Sequence, residues 1–478
     1  MSVHQFASLW QRWREVLPWL GVSFIGLALG WLVLRQPTFG FLLTGSLIVI
    51  LVIIILFFER NGVFSLRRVV PTLLIITILF PYIRLPGDIP DVRPEFLIVL
   101  VASGLLFLGC LAKGTPIRLR HFPVYKWFGL FAFLIFLTMA YSATFKAQLI
   151  NGRDFWELVK VILYFLIFAL VVNQKLTPTS LERYYKLVLL VFIISAFFGF
   201  LQYFDFANIN ELVSPYYAPT QMKSLLSGRI TGTTGNPNEF GALMVLATSL
   251  ALSGLLFLKE KRKLRLLCLD SFPVFALALV LTLSRSSLIS LLIAVATILF
   301  LFLQQKGLRP RVKRLLNFVL LSCIIGACIL QILPEKAFYR YGQIATFTQA
   351  ESWRGRVENW KTHFAIWLES PWFGWGPGKA TMGTIVDNEW LLLLRRYGIV
   401  GLVVFLCFFG SLFFGLSRIR KAHSDPLVVA LTVALQGTFV GYAFYMFLAA
   451  VYHSMQLMSI FILLLGLAYS QYEPRKIA

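Results

Sequence analysis

The chain has 478 residues, of which 58% are hydrophobic and only 14% are charged. A soluble domain carries about 25% charged residues, so this composition excludes a soluble globular protein and indicates a polytopic membrane protein. The net charge of +23 is spread over many short connections and forms no single patch. This distribution argues against nucleic-acid binding and is typical of loops that face anionic membrane lipids.

Apolar stretches long enough to cross a bilayer follow one another along the chain, since a crossing helix needs about 20 mostly apolar residues. Their continuous apolar character favours α-helices over the alternating strands of a barrel. No internal repeat or linker interrupts them, so we predict one integral membrane domain, residues 1–478, that is all-α with about 14 (12–14) spans. The predicted spans are 17–34, 39–58, 69–83, 96–112, 124–141, 154–173, 185–204, 234–258, 266–283, 286–304, 315–333, 388–416, 426–448 and 452–470.

Lysine and arginine concentrate in every second connection, apart from the long segment 334–387. Because basic loops stay on the cytoplasmic side, we predict that both termini are cytoplasmic. The two sizeable loops, about 205–233 and 334–387, then face outward. Within the second, Trp353, Val357, Trp360, Phe364 and Trp367 recur at helical spacing, which predicts an amphipathic helix on the membrane surface or on the bundle.

Two outward-facing clusters contain an arginine among small polar residues. Arg229 precedes a glycine-rich stretch with Asn236 and Asn238, directly before an apolar span; backbone N–H groups there suit an anion, and the arginine adds a planar fork for phosphate. Arg285 lies among serines in a tight turn between two spans. The alternatives are an ordinary turn before a helix for the first cluster and a snorkelling or helix-capping arginine for the second.

Two more clusters flank the end of the long outer loop. Arg354, Arg356 and Trp360 begin the amphipathic helix, which a Gly/aromatic turn ends at 371–378; such tryptophans either stack on sugars or anchor a helix at the interface.

Asp387, Asn388 and Glu389 precede the twelfth span. A carboxylate beside arginines is a candidate general base; the alternative for Asp387 is an N-cap of the next helix.

Histidine is scarce, and only His363 and His453 face outward on this topology. They are far apart in sequence, and neither has a partner at metal-ligand spacing. The five cysteines all lie in apolar runs and form no C-x-x-C pair, which favours core packing over metal binding or disulfides. We therefore predict no metal site and no cofactor.

The four clusters, in this order, resemble the bacterial O-antigen ligase and O-antigen polymerase superfamily of membrane glycosyltransferases. The resemblance is carried by Arg229 with the stretch 235–241, Ser284–Ser286, Arg356 with Trp360 and 371–378, Asp387–Leu391 with Tyr397, Gly398 and Gly401, and the earlier pieces 85–87 and 93–95.

The resemblance implies a metal-independent enzyme of the bacterial inner membrane whose site opens to the periplasm. Its donor would be an undecaprenyl-pyrophosphate-linked glycan, its acceptor a glycan or a lipid, and a chain-length regulator a potential partner. On matching positions, Arg229 and Arg285 would bind the pyrophosphate and Arg356 would add a third cation. Arg354, Asn236, Asn238, Asn388, Glu389 and Trp360 are the predicted substrate contacts beside them.

One position departs from the ligases, which place a catalytic histidine where this chain has Asp387. An aspartate is the weaker base, since its usual pKa is about 3.9. The departure favours an O-antigen polymerase, which joins repeat units, over a ligase that attaches the glycan to lipid A–core. A lipid-linked glycan flippase is the alternative from another class, although transporters place their polar sites near the midplane of paired halves.

Overall fold

The computed structural model describes residues 66–80, 93–112, 119–120, 122–174, 176–214, 217, 219–304, 342, 351–378 and 386–472. Within these residues the chain forms helices and turns and no β-strand, which confirms the all-α prediction. The predicted spans 17–34, 39–58 and 315–333 lie outside the described residues.

The helices are numbered in chain order over the described part of the chain. They are α1 (Leu66–Ile76), α2 (Pro94–Ala112), α3 (Val124–Phe145), α4 (Gly152–Val172), α5 (Pro178–Tyr203), α6 (Ile209–Val213), α7 (Pro219–Leu226), α8 (Pro237–Phe257), α9 (Arg262–Leu281), α10 (Arg285–Leu303), α11 (Glu351–Leu368), α12 (Glu389–Ala422), α13 (Pro426–Tyr445) and α14 (Met455–Tyr469). Short 3₁₀ turns follow α1 at Thr77–Leu79 and precede α8 at Gly232–Thr234.

Among the described helices, eight are long and apolar enough to cross a bilayer: α3, α4, α5, α8, α9, α10, α12 and α13. Shorter apolar stretches lie in α1, α2 and α14. The chain is therefore a multi-pass membrane protein, and its full number of crossings stays a prediction. Most bounds differ from the predicted spans by at most four residues. Three differ more: α1 ends seven residues before its predicted end, α5 begins seven residues before its predicted start, and α12 ends six residues after its predicted end.

By compactness the chain divides into two units, Met1–Leu66 with Glu211–Pro215, and Arg67–Asn210 with Tyr216–Ala478. All the predicted site residues belong to the second unit, which is the unit considered below. The prediction of a single membrane domain stays a prediction.

Helix α8 is the central helix of this unit, because its apolar stretch is buried along its whole length. Helices α9, α10 and α13 pack against it, and α10 also packs closely on α13. Two glycines of α13 allow that approach: a Cβ on Gly437 would lie 2.9 Å from the carbonyl oxygen of Ala294, and one on Gly441 would lie 2.7 Å from that of Ser290. Small residues four apart are a common way for membrane helices to pack closely.

Candidate active site

Arg229 lies in the connection that leads into α8, and its guanidinium is tied to two neighbouring helix ends. Its Nε donates to the carbonyl oxygen of Thr282 at 3.0 Å, and its Nη2 donates to Oδ1 of Asn238 at 3.0 Å. Thr282 directly follows α9, and Asn238 lies in the first turn of α8. The side chain is half-buried, so the protein orients the planar fork while leaving part of it accessible.

The backbone next to Arg229 is held by Gln202, near the end of α5. The side-chain oxygen of Gln202 accepts from the N–H of Thr231 at 3.1 Å, and its Nε2 donates to the hydroxyl of Tyr217 at 3.0 Å. That hydroxyl in turn donates to the carbonyl oxygen of Gly232 at 3.1 Å. These buried polar groups satisfy one another, so the segment that carries the arginine is fixed before any ligand binds.

Arg285 is the first residue of α10, in the tight turn after α9. Ser284 is the N-cap, and its hydroxyl accepts a backbone N–H of the first turn. Leu283 has a φ of 52°, in the left-handed region that a branched residue rarely adopts. Arg229 binds the carbonyl oxygen of Thr282 in this same turn. The two arginines predicted to bind phosphate therefore both lie at the turn between α9 and α10.

Helix α11 lies alongside the start of α12. Nε of Arg356 is 3.8 Å from Oδ2 of Asp387, and one turn further along α11 Trp360 packs against a cluster formed by Val386 with Leu391 and Leu392 of α12. Later residues of α11 meet later residues of α12, so the two helices run parallel here. The amphipathic pattern correctly predicted a helix at this position.

The next contact along this pair of helices is buried and polar. Nη1 of Arg395 lies 3.1 Å from Nδ1 of His363, whose side chain is only 1% exposed. Burial, followed by the charge of Arg395, lowers the pKa of His363 to about 4. The imidazole is therefore neutral at pH 7, and its Nδ1 accepts a hydrogen bond from the guanidinium.

Asp387 does not cap α12. The N-cap is Asn388, whose side-chain oxygen accepts from the N–H of Leu391 at 3.0 Å. The carboxylate of Asp387 is 55% exposed and faces Arg356. The capping alternative for Asp387 is therefore wrong, and its carboxylate remains accessible.

Helix α12 is broken at Gly398, which has a φ of 64° and a ψ of −167°. The turn after α11 fills the break: the N–H of Ile399 donates to the carbonyl oxygen of Pro371 at 2.8 Å, and the N–H of Trp375 donates to that of Arg395 at 2.9 Å. A Cβ at Gly398 would lie 2.1 Å from the carbonyl oxygen of Trp372. The Gly/aromatic turn thus connects α11 to α12 next to Arg395.

A buried cluster of charged side chains joins α4, α12 and the connection after α13. It was not predicted from the sequence. Glu157 of α4 is 2.8 Å from Nζ of Lys160, 3.4 Å from Nη1 of Arg396 and 3.2 Å from Nε2 of His453. His453 also contacts Arg396 through Nε2 and Glu389 through Nδ1. The cluster thus contains two carboxylates, Glu157 and Glu389, among basic side chains, as buried charges require partners of opposite sign.

The two histidines that the sequence places far apart lie on adjacent arginines, His363 on Arg395 and His453 on Arg396. The only sequence signal for the buried cluster was the unusual lysine within a span, Lys160. Its partners could not be predicted, because they come from helices and a connection that are distant in the chain.

The Arg229 region and the Asp387 region are joined through the end of α13. The hydroxyl of Tyr445 donates to the carbonyl oxygen of Asn238 at 2.8 Å. The next residue, Met446, accepts the N–H of Glu389 through its carbonyl oxygen at 2.7 Å. A short series of contacts therefore connects the two regions.

The remaining predicted contacts have different surroundings. Asn236 is the N-cap of α8 and accepts the N–H of Asn238 at 2.9 Å. Glu389 is fully buried, with one oxygen at His453 and the other accepting the N–H of Val451 at 2.8 Å. Arg354 is exposed on α11. Their roles as substrate contacts stay predictions.

Comparison with known proteins gives one family match. Residues 271–406 match the family described as O-Antigen ligase, a region that runs from α9 into α12 and includes Arg285, Arg356 and Asp387 but not Arg229. Comparison with curated proteins gives no match.

The match agrees with the resemblance seen in the polar clusters, and the helical membrane architecture is consistent with it. The likeness of this region supports a ligase- or polymerase-type glycosyltransferase function at a general level. Residues 271–406 are thus similar to the O-antigen ligase family, in agreement with the resemblance to the ligase and polymerase superfamily.

Proposed function

We propose that this protein transfers a glycan from an undecaprenyl-pyrophosphate donor to an acceptor hydroxyl, and that it acts as a polymerase of surface polysaccharide. The observation that carries the proposal is the placement of Arg229 and Arg285 around the α9–α10 turn, with the accessible carboxylate of Asp387 linked to that region through α13. A diphosphate leaving group needs cations, and an attacking hydroxyl needs a base.

In this mechanism the acceptor hydroxyl gives its proton to a carboxylate oxygen of Asp387. The hydroxyl oxygen forms a bond to the anomeric carbon of the donor sugar, and the bond from that carbon to the diphosphate oxygen breaks. The electron pair of the broken bond stays on the diphosphate, where Arg229 and Arg285 stabilise the added charge. Guanidinium groups suit this role because their planar fork matches phosphate oxygens.

Arg356 has a double role in the proposal. It lies 3.8 Å from Asp387, close enough to orient the carboxylate, and it adds a third cation at the entrance. The exposed Arg354 and the half-buried Trp360 lie on the same helix, which suits contact with the glycan at the surface.

Arginines in these positions supply the charge that a divalent cation supplies in many phosphate-transfer sites. We propose that no metal is needed. We also propose that both termini are cytoplasmic, that the site faces the periplasmic side of the bacterial inner membrane, and that a chain-length regulator is a partner.

The choice of polymerase over ligase rests on Asp387, which stands where the ligases place a histidine. The test is incubation of the purified full chain with a lipid-linked repeat unit, with and without lipid A–core. A ladder of longer lipid-linked glycans in both reactions supports the polymerase. Product attached only to lipid A–core would identify a ligase, and the absence of any new glycosidic bond would favour a flippase.

A further inference from the structure

Glu239 differs from the other glutamates that the described helices place near this end of the bundle. Glu95, Glu157 and Glu389 are at most 1% exposed, and each has a lysine, arginine or histidine side chain within 4 Å. Glu239 keeps part of its surface accessible, and its hydrogen-bond partner is the neutral hydroxyl of Ser454. The charge of Arg93 also acts on Glu239, but Arg93 forms its ion pair with Glu95 at 2.6 Å, so an ion pair among the described residues does not account for Glu239.

One oxygen of Glu239 is held and the other is open. Its Oε2 accepts from the hydroxyl of Ser454 at 2.6 Å. Its Oε1 has no hydrogen-bond partner among the residues that the structure describes. Ser454 directly follows His453 of the buried charge cluster, so the carboxylate is attached to a rigid part of the protein.

The position of Glu239 in its helix does not explain it either. Glu239 is the third residue of α8, where a glutamate often forms a capping box by accepting the N–H of the N-cap residue. Here the N–H of the N-cap, Asn236, donates instead to the hydroxyl of Thr234 at 3.4 Å. The capping function is thus taken by other groups, and Oε1 is left for a different partner.

The neighbours of Glu239 indicate what that partner is. The preceding residue, Asn238, binds the guanidinium of Arg229 at 3.0 Å. A carboxylate repels a nearby diphosphate. A carboxylate next to the proposed diphosphate site is therefore better suited to bind the sugar attached to the diphosphate than the phosphates themselves. Sugar hydroxyls donate strong, charge-assisted hydrogen bonds to carboxylates.

We propose that Glu239 binds a sugar hydroxyl of the substrate through Oε1, with Ser454 positioning the carboxylate. The proposal rests on the glycan-transfer function proposed above and adds a residue to it. The sugar belongs either to the donor or to the acceptor, and kinetics can separate the two sources.

The test compares the purified wild-type chain with Glu239→Gln and Glu239→Leu, and with Glu260→Gln as a matched control on an exposed connection. One series varies a donor whose acceptor hydroxyl is blocked, and the other varies a soluble glycan acceptor without lipid diphosphate. Loss of a charged hydrogen bond is expected to raise one of the two KM values about tenfold or more, with kcat within about twofold because the bond forms before the transition state. A raised KM for the donor would assign the sugar to the donor, and a raised KM for the acceptor would assign it to the acceptor.

A binding arm separates the sugar from the diphosphate and needs no turnover. Undecaprenyl diphosphate without a glycan should bind wild type and Glu239→Gln with similar affinity, whereas the lipid-linked glycan should bind the variant more weakly. Equal KM values in wild type and both variants would overturn the proposal, and so would an equal loss of affinity for the glycan-free lipid. A wild-type protein that forms no product would refute the proposed function, while the binding arm would still decide the role of Glu239.

Discussion

The guanidinium of Arg229 donates to the side-chain oxygen of Asn238 at 3.0 Å, across the start of α8. Both residues belong to the same glycine-rich stretch, and the contact converts a flexible arginine into an oriented fork. Its other bond, to the carbonyl oxygen of Thr282, places that fork at the turn that carries Arg285.

Replacement of Arg229 by lysine should therefore impair transfer although it keeps the charge. A lysine has a single nitrogen, so it cannot reproduce the two separate guanidinium nitrogens that bind Thr282 and Asn238, and it offers no planar fork to phosphate. We expect kcat/KM to fall about 100-fold for Arg229→Lys and about tenfold for Asn238→Ala, measured by release of undecaprenyl diphosphate. Arg262→Lys, on the exposed start of α9, is the matched control. Full activity of Arg229→Lys would contradict the role of the fork.

Replacement of Asp387 by asparagine should remove the base and keep the fold. The carboxylate is exposed and does not cap α12, since Asn388 does, so thermal stability should change little. General-base catalysis contributes about 10²–10⁴ in rate, and kcat of Asp387→Asn should fall by that factor. Asn388→Ala is the contrasting variant: it should lower stability by about 1 kcal/mol through loss of the cap. Normal turnover by Asp387→Asn would show that another group takes the proton.

His363 predicts a loss of stability in weak acid. Its pKa is lowered to about 4 in the folded protein, whereas an unfolded histidine titrates near about 6.5. Between these values the unfolded state binds a proton that the folded state excludes, so the contribution of His363 is complete above about pH 6.5 and is lost as the pH falls toward 4. The melting temperature of the protein, measured at pH 7.5 and at pH 5, tests this loss of stability.

The variant His363→Gln can still accept the hydrogen bond of Arg395 but does not titrate. Its melting temperature should fall less than that of wild type over the same pH range. An equal fall in both proteins would mean that other groups cause the acid sensitivity.

Gly398→Ala should be strongly destabilising. The residue has a φ of 64°, and its new Cβ would lie 2.1 Å from the carbonyl oxygen of Trp372. Backbone strain of this kind costs about 1–3 kcal/mol before the clash is added. Gly410→Ala in the same helix is the control, because its Cβ would meet only Phe414 at 3.8 Å and alanine favours a helix. If both variants melt at the same temperature, the break at Gly398 does not fasten α11.

Removal of divalent metal should leave transfer unchanged, because arginines supply the positive charge in the proposed mechanism. The measurement is the initial rate of the purified protein after dialysis against a chelator. A rate that collapses and returns on addition of magnesium would assign the charge to a metal instead.

The helices were predictable because their apolar runs are long and continuous, and α8 and α10 begin within a few residues of the predicted bounds. The association of Arg229 with Asn238 was also within reach, since the two residues are close in sequence. The N-cap residue of α12 could not be predicted from the sequence, because Asp387 and Asn388 are both good N-caps and only the backbone geometry selects one.

The buried cluster could not be predicted for a different reason. Glu157 lies in α4 and His453 in the connection between α13 and α14, and nothing in the local sequence of His453 indicates a carboxylate partner. A hydropathy pattern says which segments enter the membrane, but it does not say which faces of distant helices meet. Glu239 lies within the stretch 235–241, but the sequence alone gives it no role, because Ser454, which binds one of its oxygens, is distant in the chain.

The central claim is that a glycosidic bond forms as a diphosphate leaves. The most direct test is mass spectrometry of a reaction that contains only the purified protein and a lipid-linked repeat unit. We predict one free undecaprenyl diphosphate for each new glycosidic bond, at a rate that Arg229→Lys and Asp387→Asn both reduce. Unchanged donor with no released undecaprenyl diphosphate, from folded wild-type protein, would contradict the claim.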